Sequence, residues 1–243
     1  AGPVGVNIFV PQPCAATAGE LDRYRRALIP LAERLGVEPG IPGPDDDGWR
    51  AKLDVVSDTR PEAVSFTFGC PQAEVLSRLR DRGILTMVTV TNRSEAAQAT
   101  AAGAGALVAQ GPEAGGHRSV FDPNRRPSEA SLDALLAATA GAGVPVVAAG
   151  GIGDAAALAR VLAGGAAAAQ VGTALLLCDE AGTNPVHRAA LSDDSFNTSI
   201  VTACFTGRYA RSLANDFTAG YDAIAPLGYP HVHQITGPIR AAA

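Results

Sequence analysis

The chain has 243 residues, of which 47% are apolar and 18% charged, and its formal net charge is −5. This apolar fraction argues against intrinsic disorder, and the acidic balance argues against a protein that binds nucleic acid mainly through phosphate contacts. The length allows one large α/β domain or two small ones. No apolar stretch reaches the roughly 18–20 residues that a membrane-spanning helix needs.

Short apolar segments alternate with longer amphipathic ones along most of the chain, which is typical of buried parallel strands joined by helices. The predicted strands are Val4–Val10, Ala63–Phe68, Ile84–Val90, Ala106–Gln110, Val144–Ala149 and Ala167–Val171. The predicted helices are Glu20–Leu35, Asp46–Val56, Gln72–Arg82, Ser94–Ala102, Ser128–Ala140 and Asp154–Ala163.

The alternation predicts an α/β fold with a parallel sheet and right-handed crossovers, either a doubly wound sheet or a (β/α)8 barrel. We expect residues 1–243 to form a single domain, with 184–243 as an extension of helices and loops. The four cysteines have neither disulfide-scaffold nor zinc-site spacing, so free thiols in a reducing compartment are expected. Since no signal segment opens the sequence, the expected location is the cytoplasm.

Two adjacent predicted strands end in glycine turns. Val144–Ala149 runs into Gly150–Asp154, and the next strand ends in Gln170-Val171-Gly172-Thr173. Turns of this kind suit the phosphate site that many barrels place after their last two strands. Two alternatives stay open: a dinucleotide fingerprint, which lacks the acidic residue expected at the end of the following strand, and tight turns that bind nothing.

A histidine follows the strand Ala106–Gln110 on a glycine-rich loop, Gly111–Arg118. The carboxyl end of a strand is where barrel active sites lie, and the unperturbed pKa of histidine in general, about 6.5, suits this residue type for proton transfer. The alternative is a surface histidine on a mobile loop.

Other candidates carry weaker signals. The pair His231 and His233 has a spacing that some metal sites use, but no acidic or cysteine cluster accompanies it, so no metal site is predicted. Cys70 has no visible base beside it. Ser65 and Thr67 share one face of their strand, where they either line a pocket or form hydrogen bonds inside the barrel.

These segments together resemble the nitronate monooxygenases. The similarity covers nearly the whole chain, in family order. The matching pieces are Gly5–Phe9, Asp45–Trp49, Val64–Gly69, Gln110–Arg118, Ala149–Ile152 and Gln170–Thr173. The resemblance implies a (β/α)8 barrel with non-covalent FMN that oxidises alkyl nitronates with O2 to carbonyl compounds and nitrite.

The resemblance also implies residue roles. His117 is similar to the family's catalytic histidine, and Asn7 and Gln110 are similar to contacts of the isoalloxazine and its ribityl neighbourhood. The remaining cofactor residues implied, mostly at the phosphate, are Gly115, Gly116, Gly150, Gly151, Gln170, Val171, Gly172 and Thr173.

The sequence departs from the family in two places. Ser119 stands where the family usually has a third glycine after the histidine and arginine. Only six of the eight strand–helix units are predicted, so the chain is expected to be truncated at both ends. A six-stranded remnant leaves two sheet edges open, which predicts low stability and weak FMN retention.

Three alternative functions remain. The first is an FMN-dependent enoyl-acyl-carrier reductase of the same barrel family, and the second is an inactive flavin-binding fragment. The third, a phosphate-substrate lyase, lacks a Schiff-base lysine at a strand end, because Lys52 lies in a predicted helix. The expected partners are a small-molecule substrate and O2, without nucleic acid or membrane. Self-association is left open.

Overall fold

The structure is a computed structural model that describes residues 2–243. Six of its strands form one parallel sheet, in the order β1-β2-β3-β4-β6-β7. These strands are β1 (Gly5–Phe9), β2 (Ala63–Thr67), β3 (Leu85–Val90), β4 (Ala106–Gln110), β6 (Val146–Ala149) and β7 (Ala168–Gln170), and the two-residue β5 (Gly116–His117) lies in the loop after β4.

Helices alternate with these strands. They are α1 (Ala18–Ala27), α2 (Ile29–Arg34), α3 (Trp49–Thr59), α4 (Ala73–Arg80), α5 (Arg93–Ala101), α6 (Leu132–Thr139) and α7 (Ala155–Ala163). The curled sheet with its helices is a half-barrel, which supplies six of the eight strand–helix units of a (β/α)8-type barrel. The predicted fold class and all six predicted strands are therefore confirmed.

The residues up to Gln12 and Asp46–Arg188 form one compact unit. Its strands alternate between two faces, as the pleat requires. The helix-facing side chains of Val64, Phe66, Val88 and Leu107 are fully buried and form the main apolar core. The opposite face carries polar side chains, which become the site described below.

Pro13–Asp45 and Ala189–Ala243 form a second compact unit. It contains the end of α8 (Pro185–Leu191) from Ala189 onward, together with α9 (Asp216–Tyr221) and α10 (His231–Ala242). It also contains the antiparallel strands β8 (Ser199–Thr202) and β9 (Ala210–Leu213). Inside this unit the Tyr24 hydroxyl donates a 2.6 Å hydrogen bond to the Cys204 carbonyl, and burial raises the pKa of Tyr24.

Two elements differ from the sequence prediction. The predicted helix Glu20–Leu35 is divided at Leu28, because Pro30 has no N–H to continue the first helix's hydrogen-bond ladder. Residues 184–243, predicted as helices and loops, also contain the β8–β9 hairpin. Its four-residue strands are too short to show the alternation that identifies a strand. The single-domain arrangement over residues 1–243 stays a prediction. Among residues 2–243, no helix has the length and apolarity to cross a membrane.

Two buried charged side chains hold the long loop after β4. Glu95 accepts hydrogen bonds from the Thr91 N–H (2.7 Å) and hydroxyl (2.8 Å), and from the Phe121 N–H (3.0 Å). Arg118 is 1% exposed and donates to the carbonyls of Pro112 (3.3 Å) and Ser128 (3.4 Å). The loop is thus fastened near both ends and in the middle, which is consistent with the functional importance that its length predicts.

We expect Glu95→Gln to destabilise the chain by about 2 kcal/mol, because an amide cannot accept at both ends and leaves a buried donor unpaired. Urea unfolding measures the loss, and faster trypsin cleavage after Arg125 reports the released loop. Glu129→Gln removes the same charge from an exposed position near that loop and is the control. Equal urea midpoints for the two variants would show that Glu95 does not hold the loop.

Candidate active site

Three aromatic rings meet above the carboxyl ends of β1 and β2. The His117 ring lies 6.1 Å from the Phe9 ring and 5.2 Å from the Phe68 ring, at interplanar angles of 73° and 86°. The two phenylalanine rings are 4.6 Å apart. We call Phe9, Phe68 and His117 the aromatic cluster. Edge-on packing of this kind is favourable for aromatic pairs and restricts how the imidazole can turn.

Gln110, the last residue of β4, holds the backbone that carries His117. Its amide nitrogen donates to the His117 carbonyl (3.0 Å), and its amide oxygen accepts the Ser119 N–H (2.9 Å). Both ends of the amide are therefore used within the protein. These hydrogen bonds show that the side chain holds the loop, and the direct cofactor contact that the resemblance implies for Gln110 stays a prediction.

Asn7, on β1, has a fixed amide orientation. Its amide oxygen accepts hydrogen bonds from the hydroxyls of Ser65 and Thr67, both at 2.9 Å. Of the two outcomes predicted for Ser65 and Thr67, the structure thus shows hydrogen bonding on the interior face of the sheet. With its oxygen so used, the amide nitrogen is the polar group of the exposed Asn7 side chain that can donate to a further partner.

Glycines let the histidine loop lie directly against the ends of β6 and β7. At Gly150, where φ is +103°, a Cβ would come within 2.8 Å of the Ala114 nitrogen. At Gly151, where φ is +67°, a Cβ would lie 3.1 Å from that of Glu113, and at Gly115 it would meet the Thr173 hydroxyl at 2.5 Å. A side chain at any of these three positions would push the loop away from the sheet.

The remaining predicted cofactor residues surround open space. A Cβ at Gly116 or Gly172 would meet nothing within 4 Å. Gln170, Val171 and Thr173 are exposed. The structure therefore brings the histidine loop together with the ends of β6 and β7, while Asn7 lies on the opposite edge strand of the sheet. Backbone at the turns after β6 and β7 is accessible to a ligand.

The weaker candidates remain outside this group. His233 lies in α10, where its Nδ1 is 3.1 Å from a guanidinium nitrogen of Arg240, and residues 2–243 contain no group of three metal-ligating side chains. Burial raises the pKa of the Cys70 thiol to about 11, which disfavours the thiolate that a nucleophile needs.

Sequence reasoning did not identify Phe9 and Phe68 as partners of His117, nor the hydrogen bonds of Ser119. The only signal available was that each phenylalanine stands at the carboxyl end of a predicted strand, where barrel sites are built.

Comparison with known proteins places this geometry in a family. The family model described as nitronate monooxygenase matches residues 1–243. A nitronate monooxygenase from Paraburkholderia phytofirmans is 40% identical over 99% of this chain and 68% of the relative. A second, from Pseudomonas aeruginosa, is 38% identical over 99% of this chain and 71% of the relative.

A solved structure is also similar to this chain. The nitroalkane oxidase from Streptomyces ansochromogenes superposes with a TM-score of 0.93 and 46% identity, over 99% of this chain and 70% of that one. Together with these relatives, the half-barrel and its histidine loop identify the chain as an oxidoreductase of the barrel type. The chain belongs to the nitronate monooxygenase family.

We expect Gln110→Glu to loosen the histidine loop, because a carboxylate oxygen would replace the N–H donor that faces the His117 carbonyl. Amide hydrogen exchange at residues 116–119 should accelerate about tenfold, the equivalent of one net hydrogen bond. Gln98→Glu makes the same change at an exposed position on α5 and should leave this exchange unaltered. Unchanged protection in Gln110→Glu would mean that other contacts hold the loop.

Proposed function

We propose that the chain catalyses FMN-dependent oxidation of alkyl nitronates by O2 to carbonyl compounds and nitrite. The observation that carries this proposal is the aromatic cluster, which holds a histidine at the carboxyl end of the sheet on the same loop that packs against the glycine turns after β6 and β7. Membership of the nitronate monooxygenase family supports the same chemistry.

The residues present fit FMN. Open space at Gly116 and Gly172 leaves room for a ligand against the backbone, and Gly151 in the neighbouring turn is exposed. We propose that these glycines hold the phosphate together with Gly115, Gln170, Val171 and Thr173. Asn7, with its nitrogen presented as a donor, is the group we assign to the ring system. When bound, FMN supplies the electron-transfer chemistry that no side chain here can supply.

His117 acts on the substrate in this proposal. With a neutral nitroalkane its imidazole takes a proton from the α-carbon, as a general base. A nitronate has already lost that proton, so the same ring then serves only to orient the nitronate oxygens by a hydrogen bond. Phe9 and Phe68 keep the imidazole in place and exclude water from one side of it.

Oxygen uptake by the purified chain, supplied with FMN and a small alkyl nitronate, tests the proposal. We expect O2 consumption accompanied by nitrite release. Without either, rapid NADH oxidation with an enoyl thioester would identify the reductase alternative instead. Free FMN in the visible spectrum and no turnover with either substrate would identify an inactive fragment.

His117→Asn separates the two roles of the imidazole. We expect oxidation of the neutral nitroalkane to fall by about 10²–10⁴-fold, the usual contribution of a general base, and oxidation of the nitronate to fall much less. His187→Asn changes an exposed histidine on α8 and is the matched control. Equal losses on the two substrates would show that His117 binds substrate and does not act as a base.

A further inference from the structure

Ser119 connects the histidine loop to the carboxyl ends of three strands. It is fully buried. Its N–H donates to the Gln110 amide oxygen at the end of β4, its hydroxyl oxygen accepts the Phe68 N–H after β2 (3.2 Å), and its hydroxyl donates to the Thr89 carbonyl in β3 (3.4 Å). This is the position where the sequence departs from the glycine usual in the family it resembles, and glycine has no hydroxyl to offer.

The backbone at Phe68 is left-handed, with φ at 78°. An aromatic residue rarely adopts this conformation, and it persists only where surrounding contacts enforce it. The hydrogen bond from the Phe68 N–H to the Ser119 hydroxyl is such a contact, because it ties the buried Phe68 backbone directly to the histidine loop. Phe68 is 1% exposed, so water is not available as a replacement.

The same backbone conformation directs the Phe68 ring at His117. The two rings are 5.2 Å apart at 86°. Ser119 is two residues from His117 along the chain, but its hydroxyl is connected to the imidazole through Phe68. The hydroxyl bonds the Phe68 N–H, and the Phe68 ring contacts the His117 ring.

We propose that Ser119 is a positioning residue whose hydroxyl fixes Phe68 and, through the Phe68 ring, the orientation of the His117 imidazole. The effect on turnover rests on the function proposed above. The effect on the imidazole is a property of the chain itself and can be measured without any reaction.

The test compares Ser119→Ala, Phe68→Leu and the double variant in the full chain. NMR signals of the His117 ring protons report their position relative to the Phe68 ring. We expect Ser119→Ala to shift these signals in the same direction as Phe68→Leu, and the double variant to match Phe68→Leu alone, since the hydroxyl acts through that ring. For the neutral nitroalkane, we expect kcat to fall about tenfold in Ser119→Ala with KM nearly unchanged, as for the loss of one hydrogen bond.

Thr139→Val is the matched control. Thr139 is also a buried hydroxyl, and it donates to the Leu135 and Leu136 carbonyls within α6. We expect the Thr139→Val variant to have lower stability and unchanged His117 signals. Ser119→Gly, which places the residue usual in the family, is a second variant that also lacks the hydroxyl, and it should behave as Ser119→Ala does.

Unmoved His117 signals in both Ser119 variants, or additive shifts in the double variant, would overturn the proposal. Shifted signals in a chain that does not oxidise nitronates would uphold the positioning role and reject the proposed function. Nitronate oxidation by a chain whose His117 signals do not change in the Ser119 variants would support the proposed function and reject the positioning role.

Discussion

The histidine site depends on the two hydrogen bonds by which Gln110 holds the loop that follows it. The amide of this residue, the last of β4, pairs with backbone groups seven and nine positions further along the chain. This end of the loop is thereby tied to the rigid sheet. The entropy of ordering these residues, about 1–2 kcal/mol each, is offset only because many such contacts act together.

Close backbone approach is the second requirement of this arrangement. The loop can form both Gln110 hydrogen bonds only if residues 113–115 lie against the ends of β6 and β7, where Gly150, Gly151 and Gly115 leave no room for side chains. Arg118 and Glu95 then hold the rest of the loop from inside the protein. The same glycines that let the loop pack also leave backbone accessible beside it, so the packing of the loop and the exposure of the turns share one cause.

The sequence predicts the strands well because buried parallel strands are short apolar runs, which a one-dimensional pattern displays. It also predicts where His117 and the glycine turns lie, because barrel sites form at the carboxyl ends of strands. The pattern cannot predict the use of Gln110, since its partners are backbone groups whose positions depend on the folded loop. The contact of Phe68 with His117 could not be predicted for the same reason, because the left-handed backbone of Phe68 depends on a serine that lies far away in sequence. The division of the predicted helix at Leu28 could have been expected from Pro30 alone.

These contacts make the orientation of His117 a property of the sheet more than of the loop. Phe9 and Phe68 bring β1 and β2 to the imidazole, Gln110 brings β4, and Ser119 joins β2 and β3 to the loop. A shift of any one of these strands would therefore reach the imidazole through direct contacts. The helix-facing side chains that set the spacing of the strands, such as Phe66 and Val88, are fully buried. Because a packed core resists small displacements, the apolar core below the sheet helps to fix the geometry of the polar site above it.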